Sequence, residues 1–187
     1  MTQSRHVFHR HTQSDLPVAV RGDGIYLFDS NGKRYLDASG GAAVSCLGHG
    51  HPRVTAALEV QRIIKDDDLL ANVRRQGDNL RRSLARSFGE HPHVGDIRGR
   101  GLLQAIELVA DPETREPFDP ALGLNARVKR EAMARGLMCY PMGGTVDGRI
   151  GDHVMLAPPF IIDEQTIETI SSGLREAVDA AVASTRR

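Results

Sequence analysis

From residue 18 to residue 37 apolar and polar positions alternate with the short period of a pleated strand. Val18-Ala19-Val20 runs into a polar turn at Gly22-Asp23-Gly24. Ile25-Tyr26-Leu27-Phe28-Asp29 follows, and Arg34-Tyr35-Leu36-Asp37-Ala38 returns. Between these two stands Asn31-Gly32, the strongest short hairpin signal. The pattern predicts a three-stranded β-meander. Residues 1–17 carry no such period and read as an irregular arm. Residues 39–51, SGGAAVSCLGHGH, offer little bulk. Such a stretch suits a loop lying close to a ligand or to another backbone.

Beyond residue 51 the period lengthens. Pro52 is placed to open a helix, and Val54, Leu58 and Ile63 or Ile64 fit one helical face. Asp66-Asp67-Asp68 predicts a kink or restart, with a carboxylate capping the next helix. Leu69, Leu70, Val73, Leu80, Leu84 and Phe88 continue the helical spacing, and Gly89 ends it. The short apolar run LLQAIELV predicts a buried strand, preceded by Arg98 and Arg100. DPETREPFDP, with three prolines and many charges, predicts an exposed loop. A helix is expected over 122–135, stopped by Gly136. LMCYPMG reads as one strand, GGTVDGRIGD as a glycine-rich turn, and HVMLAPP as a further strand. Residues 163–183 predict a closing helix, capped by Asp163 and buried through Ile167, Ile170, Leu174 and Val178. The order predicts an α/β (α+β) fold: a mostly antiparallel sheet with helices on one side, plus the amino-terminal meander.

Length and charge narrow the function classes. The 187 residues fit one domain, or one domain plus an arm. Lysine and arginine total 24, as do aspartate and glutamate, so the net charge is zero. That balance argues against a broad nucleic-acid surface or an acidic-membrane surface. Cys46 and Cys139 lie too far apart for a metal or redox motif, and a reduced, cytoplasmic chain is the expectation. The polar amino end has no apolar signal core, and no apolar run reaches the length of a membrane span.

The residues also carry a resemblance. RGDGIYLFDSNGKRYLDASGGAAVSCLGHGHPRV is similar to the amino-terminal segment of class III pyridoxal-phosphate aminotransferases. LLANVRRQGDNLRRSL, VGDIRGRGLLQAIELV, ARGLMCYP and GDHVMLAPPFII resemble the carboxy-terminal part of the same family, in the same order. The resemblance implies the small domain of a fold type I aminotransferase. It implies amino transfer between an amine or ω-amino acid and a keto acid, with pyridoxal 5'-phosphate as the electron sink. Residues 1–51 would be the arm, meander and glycine-rich loop, and residues 52–187 a helix followed by the small domain. The large cofactor domain that joins these parts in the family is missing between about residues 55 and 62, and TAALEVQ fits either side of the junction. With it go the phosphate grip and the lysine that holds the cofactor.

Only Lys33, Lys65 and Lys129 are lysines. A reactive lysine needs desolvation or a neighbouring cation to lower its pKa, and none of the three sequence contexts supplies either. No catalytic residue and no metal site are therefore expected. The resemblance places Gly40, Gly41, Ser45 and Cys46 in the loop lining the substrate pocket, against the plain reading of a structural loop needing small residues. It assigns Arg149 to the substrate carboxylate, against a solvated turn arginine. The pairs His49/His51 and His91/His93 lack a third ligand at metal spacing and read as structural. Two functional classes stand: an aminotransferase-derived chain inactive alone, and an assembly module pairing with itself or with a full-length homologue. The family's dimeric habit and the apolar surface uncovered by the missing domain favour a homo-oligomer.

Overall fold

The computed structural model describes residues 17–40, 47–51 and 57–186. Its amino end forms β1 (Ala19–Asp23), β2 (Tyr26–Asp29) and β3 (Arg34–Asp37), all antiparallel neighbours. The β2–β3 turn is held by Asp29. One of its carboxylate oxygens accepts the backbone N–H of Asn31 (2.8 Å) and of Lys33 (2.9 Å), and the other accepts the Tyr35 hydroxyl (3.0 Å). The Asn31-Gly32 signal is thus completed by a carboxylate two residues upstream, as in an Asx turn.

Two helices follow, α1 (Ala57–Asp66) and α2 (Leu69–Phe88). The restart between them is where the sequence placed it, but its cause differs. Asp68 takes a left-handed conformation (φ 47°) and makes no side-chain cap, so the backbone reversal and not a carboxylate separates the helices. Pro52 and Val54 lie outside the described residues. Ile63 is fully buried, with Leu47 and Leu69, in a satellite cluster against Phe160 and Ile161.

Residues 94–109 hold two strands rather than one. β4 (Val94–Arg100) and β5 (Leu103–Leu108) form a hairpin, which puts Arg98 and Arg100 inside a strand. Cross-strand hydrogen bonding outweighs the poor strand propensity of its glycines and charges. The hairpin tip meets α2 closely: a Cβ on Gly77 would lie 2.5 Å from the Gly101 backbone, so no other residue fits there. DPETREPFDP is exposed along most of its length, but Phe118 folds back into the core at 7% exposure.

Next come α3 (Leu124–Ala134), β6 (Leu137–Met138), β7 (Tyr140–Gly143), β8 (Asp152–Leu156) and α4 (Glu164–Ala183). LMCYPMG is therefore two strands. β6 joins the meander in parallel, Leu36 facing Leu137, while β7 pairs antiparallel with β8. The chain changes sheet at Cys139, whose apolar surroundings push its thiol up to about 12 and leave it inert at neutral pH. The sheets run β1-β2-β3-β6 and β4-β5-β8-β7. Asp163 caps α4 by accepting the Thr166 N–H (2.8 Å), as its sequence position predicts.

The helices cover one face of the second sheet. Leu80, Leu84 and Phe88 of α2, Val128 of α3, and Ile167, Ile170 and Leu174 of α4 meet Ile106, Val154 and Leu156, all without exposed surface. The mostly antiparallel α/β architecture and its meander are as expected. Among the described residues no helix is long and apolar enough to cross a membrane.

Candidate functional site

β3 delivers a buried carboxylate to the start of the glycine-rich stretch. Asp37 has no exposed surface. One of its oxygens accepts the Ser39 N–H (3.0 Å) and the Ser39 hydroxyl (2.8 Å), and the other meets His49 Nε2 at 2.7 Å. The His49 backbone also pairs with Gly24, whose N–H donates to the His49 carbonyl at 2.7 Å. This clamp ties residues 37–40 to residues 47–51. Gly40 leaves it buried, at φ 53°. Ser39 and His49 both engage the one carboxylate, so the hydroxyl proton is not aimed at the imidazole and no nucleophile–base pair forms between them. Gly41, Ser45 and Cys46 lie outside the described residues.

The second family-derived position stands in the turn between β7 and β8. Asp147 accepts the backbone N–H of Ile150 (2.9 Å) and Arg149 (2.8 Å), and these bonds hold its carboxyl below the usual range. The Arg149 side chain is exposed and makes no ion pair among the described residues. Its fork is free for a carboxylate. No hydrogen bond joins it to the Gly40 end of the clamp among the described residues.

On the face of the second sheet away from the helices, Arg98, which the sequence offers as an anion binder or a plain strand-entry residue, is paired with carboxylates of its own sheet. Arg98 donates to Asp96 (2.8 Å) and to Glu107, and its guanidinium holds the Asp96 carboxyl low. On the next strand His153 faces Glu107, and its Nδ1 meets the Thr145 hydroxyl at 2.8 Å. Burial, then Arg98, lowers the His153 pKa. The charges of Arg98 are spent on its two neighbours, which makes this a cross-strand staple. The available signal was the two-residue spacing of Asp96 and Arg98 opposite an alternating Glu107.

A lysine able to hold pyridoxal phosphate is not found. Lys33 Nζ donates to the carbonyls of Met133 (2.9 Å) and Ala134 (3.3 Å), capping the end of α3. Lys65 and Lys129 are exposed on helices. None sits in the desolvated setting that a reactive amine needs. The lysines of this chain do not fit the cofactor.

His91 is a structural histidine with a pH consequence. Its Nδ1 accepts the His93 backbone N–H (3.0 Å), so the ring proton is on Nε2 and donates to Asp179 (2.9 Å). Burial lowers its pKa below the ordinary 6.5. The unfolded chain then binds the proton better than the folded one. Stability should therefore fall as pH drops below about 6.5, until the lowered folded value is passed. Urea unfolding midpoints measured across that window should show the slope, and His91→Gln should reduce it to the part that His153 contributes. An unchanged slope in the variant would remove His91 as its source.

This arrangement of meander, helix-backed antiparallel sheet and glycine-rich junction has known counterparts. The aminotransferase class-III family profile matches residues 7–62 and again 56–178. The chain belongs to the class III aminotransferases. An aminotransferase from Gibberella zeae is 45% identical over 147 residues, which are 76% of this chain and 29% of that protein. A transaminase from the marine bacterium Virgibacillus superposes with a TM-score of 0.63 at 31% identity, covering 73% of this chain and 30% of its own. The PMP-bound form of an aminotransferase from Vibrio fluvialis gives a TM-score of 0.60 at 29% identity, covering 69% and 26%. The chain thus spans about three-tenths of the length of the relatives it matches.

Proposed function

We propose that this chain is an internally shortened class III aminotransferase polypeptide that does not transaminate alone. The observation that carries this is the placement of its three lysines: one caps a helix and two are exposed on helices. The two family matches support it, since they meet and overlap at residues 56–62. That is where a lost middle domain would leave a fused junction. Gly40, Gly41, Ser45, Cys46 and Arg149 then descend from the substrate side of the ancestral pocket, with Arg149 as its carboxylate grip. Incubation with pyridoxal phosphate, an ω-amino acid donor and pyruvate should yield no alanine above the protein-free control. Turnover that scales with the concentration of this chain would overturn the proposal.

A second reading has its own support. The sheet face away from the helices leaves Leu103 50% and Met142 39% exposed, with Val146 beside it at 61%. Exposed apolar side chains on an uncovered face favour association, with another copy or with a full-length homologue. Light scattering over a wide concentration range should show a dimer or larger species. A monomer mass throughout would rule out self-association.

A further inference from the structure

A cavity of about 260 Å³ opens where the meander sheet meets α4, with none of Arg149, Asp37 and His49 in its lining. Leu36 and Leu137 give it an apolar lining. Arg34 of β3 and Arg135 after α3 bring guanidinium groups, and α4 brings Thr169, Ser172 and Glu176. Arg34 stacks on the Tyr26 ring at 4.5 Å and has no carboxylate at ion-pair distance among the described residues. Arg135 pairs with Glu131 at 2.9 Å and approaches Glu176 at 3.6 Å. The Thr169 hydroxyl donates to the Gln165 carbonyl (3.0 Å) and the Ser172 hydroxyl to the Glu168 carbonyl (2.9 Å). With those protons committed, both oxygens can only accept from a ligand.

Gly173 is the second, independent observation. It stands inside α4, where glycine costs about 1 kcal/mol relative to alanine. Neither packing nor backbone requires it. A Cβ there would meet only Leu137 Cδ2, at an ordinary 3.7 Å, and the residue is not in the positive-φ region. The helix gives up stability at a position whose vacancy keeps the cavity open.

The lining is thus donor-rich at the arginines, acceptor-rich along α4 and apolar between. A simple anion would meet Glu176, and a simple cation would meet Arg34 and Arg135. We propose that this cavity binds a small zwitterionic amino acid. Its carboxylate bonds to Arg34, its ammonium to Glu176 and the two hydroxyl oxygens, and its methylenes lie over Leu36 and Leu137. The site is independent of the function proposed above and needs no cofactor.

The test is an amide chemical-shift titration of the whole chain with γ-aminobutyrate, run beside butyrate and butylamine. γ-Aminobutyrate should saturably shift Gly136 and Gly173 and bind at least about tenfold tighter than either half-molecule. Arg34→Met and Glu176→Gln, both at exposed side chains, should each weaken it by about tenfold. Gly173→Ala should hold or raise the unfolding midpoint, and a folded Gly173→Leu variant should lose binding. Half-molecules that bind equally well, no saturable shift, or undiminished affinity in a folded Arg34→Met or Glu176→Gln variant would overturn the assignment.

Discussion

Asp37→Ala is expected to destabilise the fold by about 3–5 kcal/mol, because several groups each lose a buried acceptor at about 1–3 kcal/mol apiece. The carboxylate has no exposed surface and gathers the Ser39 N–H, the Ser39 hydroxyl and the His49 ring. Truncation leaves these groups without their acceptor, at a point where water does not reach the carboxylate. It also removes the side-chain part of the tie between residues 47–51 and the meander, leaving the Gly24–His49 backbone pair in place. Urea unfolding followed by circular dichroism measures the loss. Asp37→Asn should lose less, since an amide oxygen still accepts from Ser39. A loss under about 0.5 kcal/mol for the alanine variant, the level of an ordinary surface change, would contradict the clamp.

Phe88→Ala should cost a similar amount, about 3–5 kcal/mol, for a different reason. The ring is fully buried at the end of α2, and the His91 ring lies 5.7 Å away. Removing it opens a cavity under the helices that back the second sheet, and the surroundings can close only part of it. Val20→Ala is the control. Val20 is 64% exposed on β1, so its truncation should stay within about 0.5 kcal/mol. Equal losses in the two variants would mean that the core does not sit where the structure places it.

The sequence made some of this legible because the signals were local. Asn31-Gly32 and Asp29 lie within one turn, and Asp163 caps the helix it precedes. The buried stripe of α4 repeats every three or four residues, so Ile167, Ile170 and Leu174 could be named from spacing alone. What was missed depends on partners distant in sequence. β4 was not recognised because its glycines and charges are acceptable only once β5 lies beside it. The split at Cys139 follows from two different sheets competing for one short apolar run. Asp68 was expected to cap with its side chain, but the left-handed backbone was invisible in the composition of three consecutive aspartates.

The site divides in the same way. Gly40 and Arg149 were named through family resemblance, and the structure leaves Arg149 exposed with its fork unspent. The Asp37–His49 pairing joins residues twelve apart through space, and no spacing rule suggested it. Lysine occurs only three times, at positions 33, 65 and 129, so the position of every side-chain amine is visible. Lys33 caps the end of α3, and Lys65 and Lys129 stand exposed on helices.

No lysine of this chain is expected to capture the cofactor. That expectation is tested most directly by titrating the purified protein with pyridoxal phosphate, reducing with borohydride and mapping the modified peptides. The expected result is no saturable absorbance change, and only scattered low-level labelling of Lys33, Lys65 and Lys129. Stoichiometric labelling of a single lysine, with a saturable absorbance change, would overturn this and would name the reactive residue.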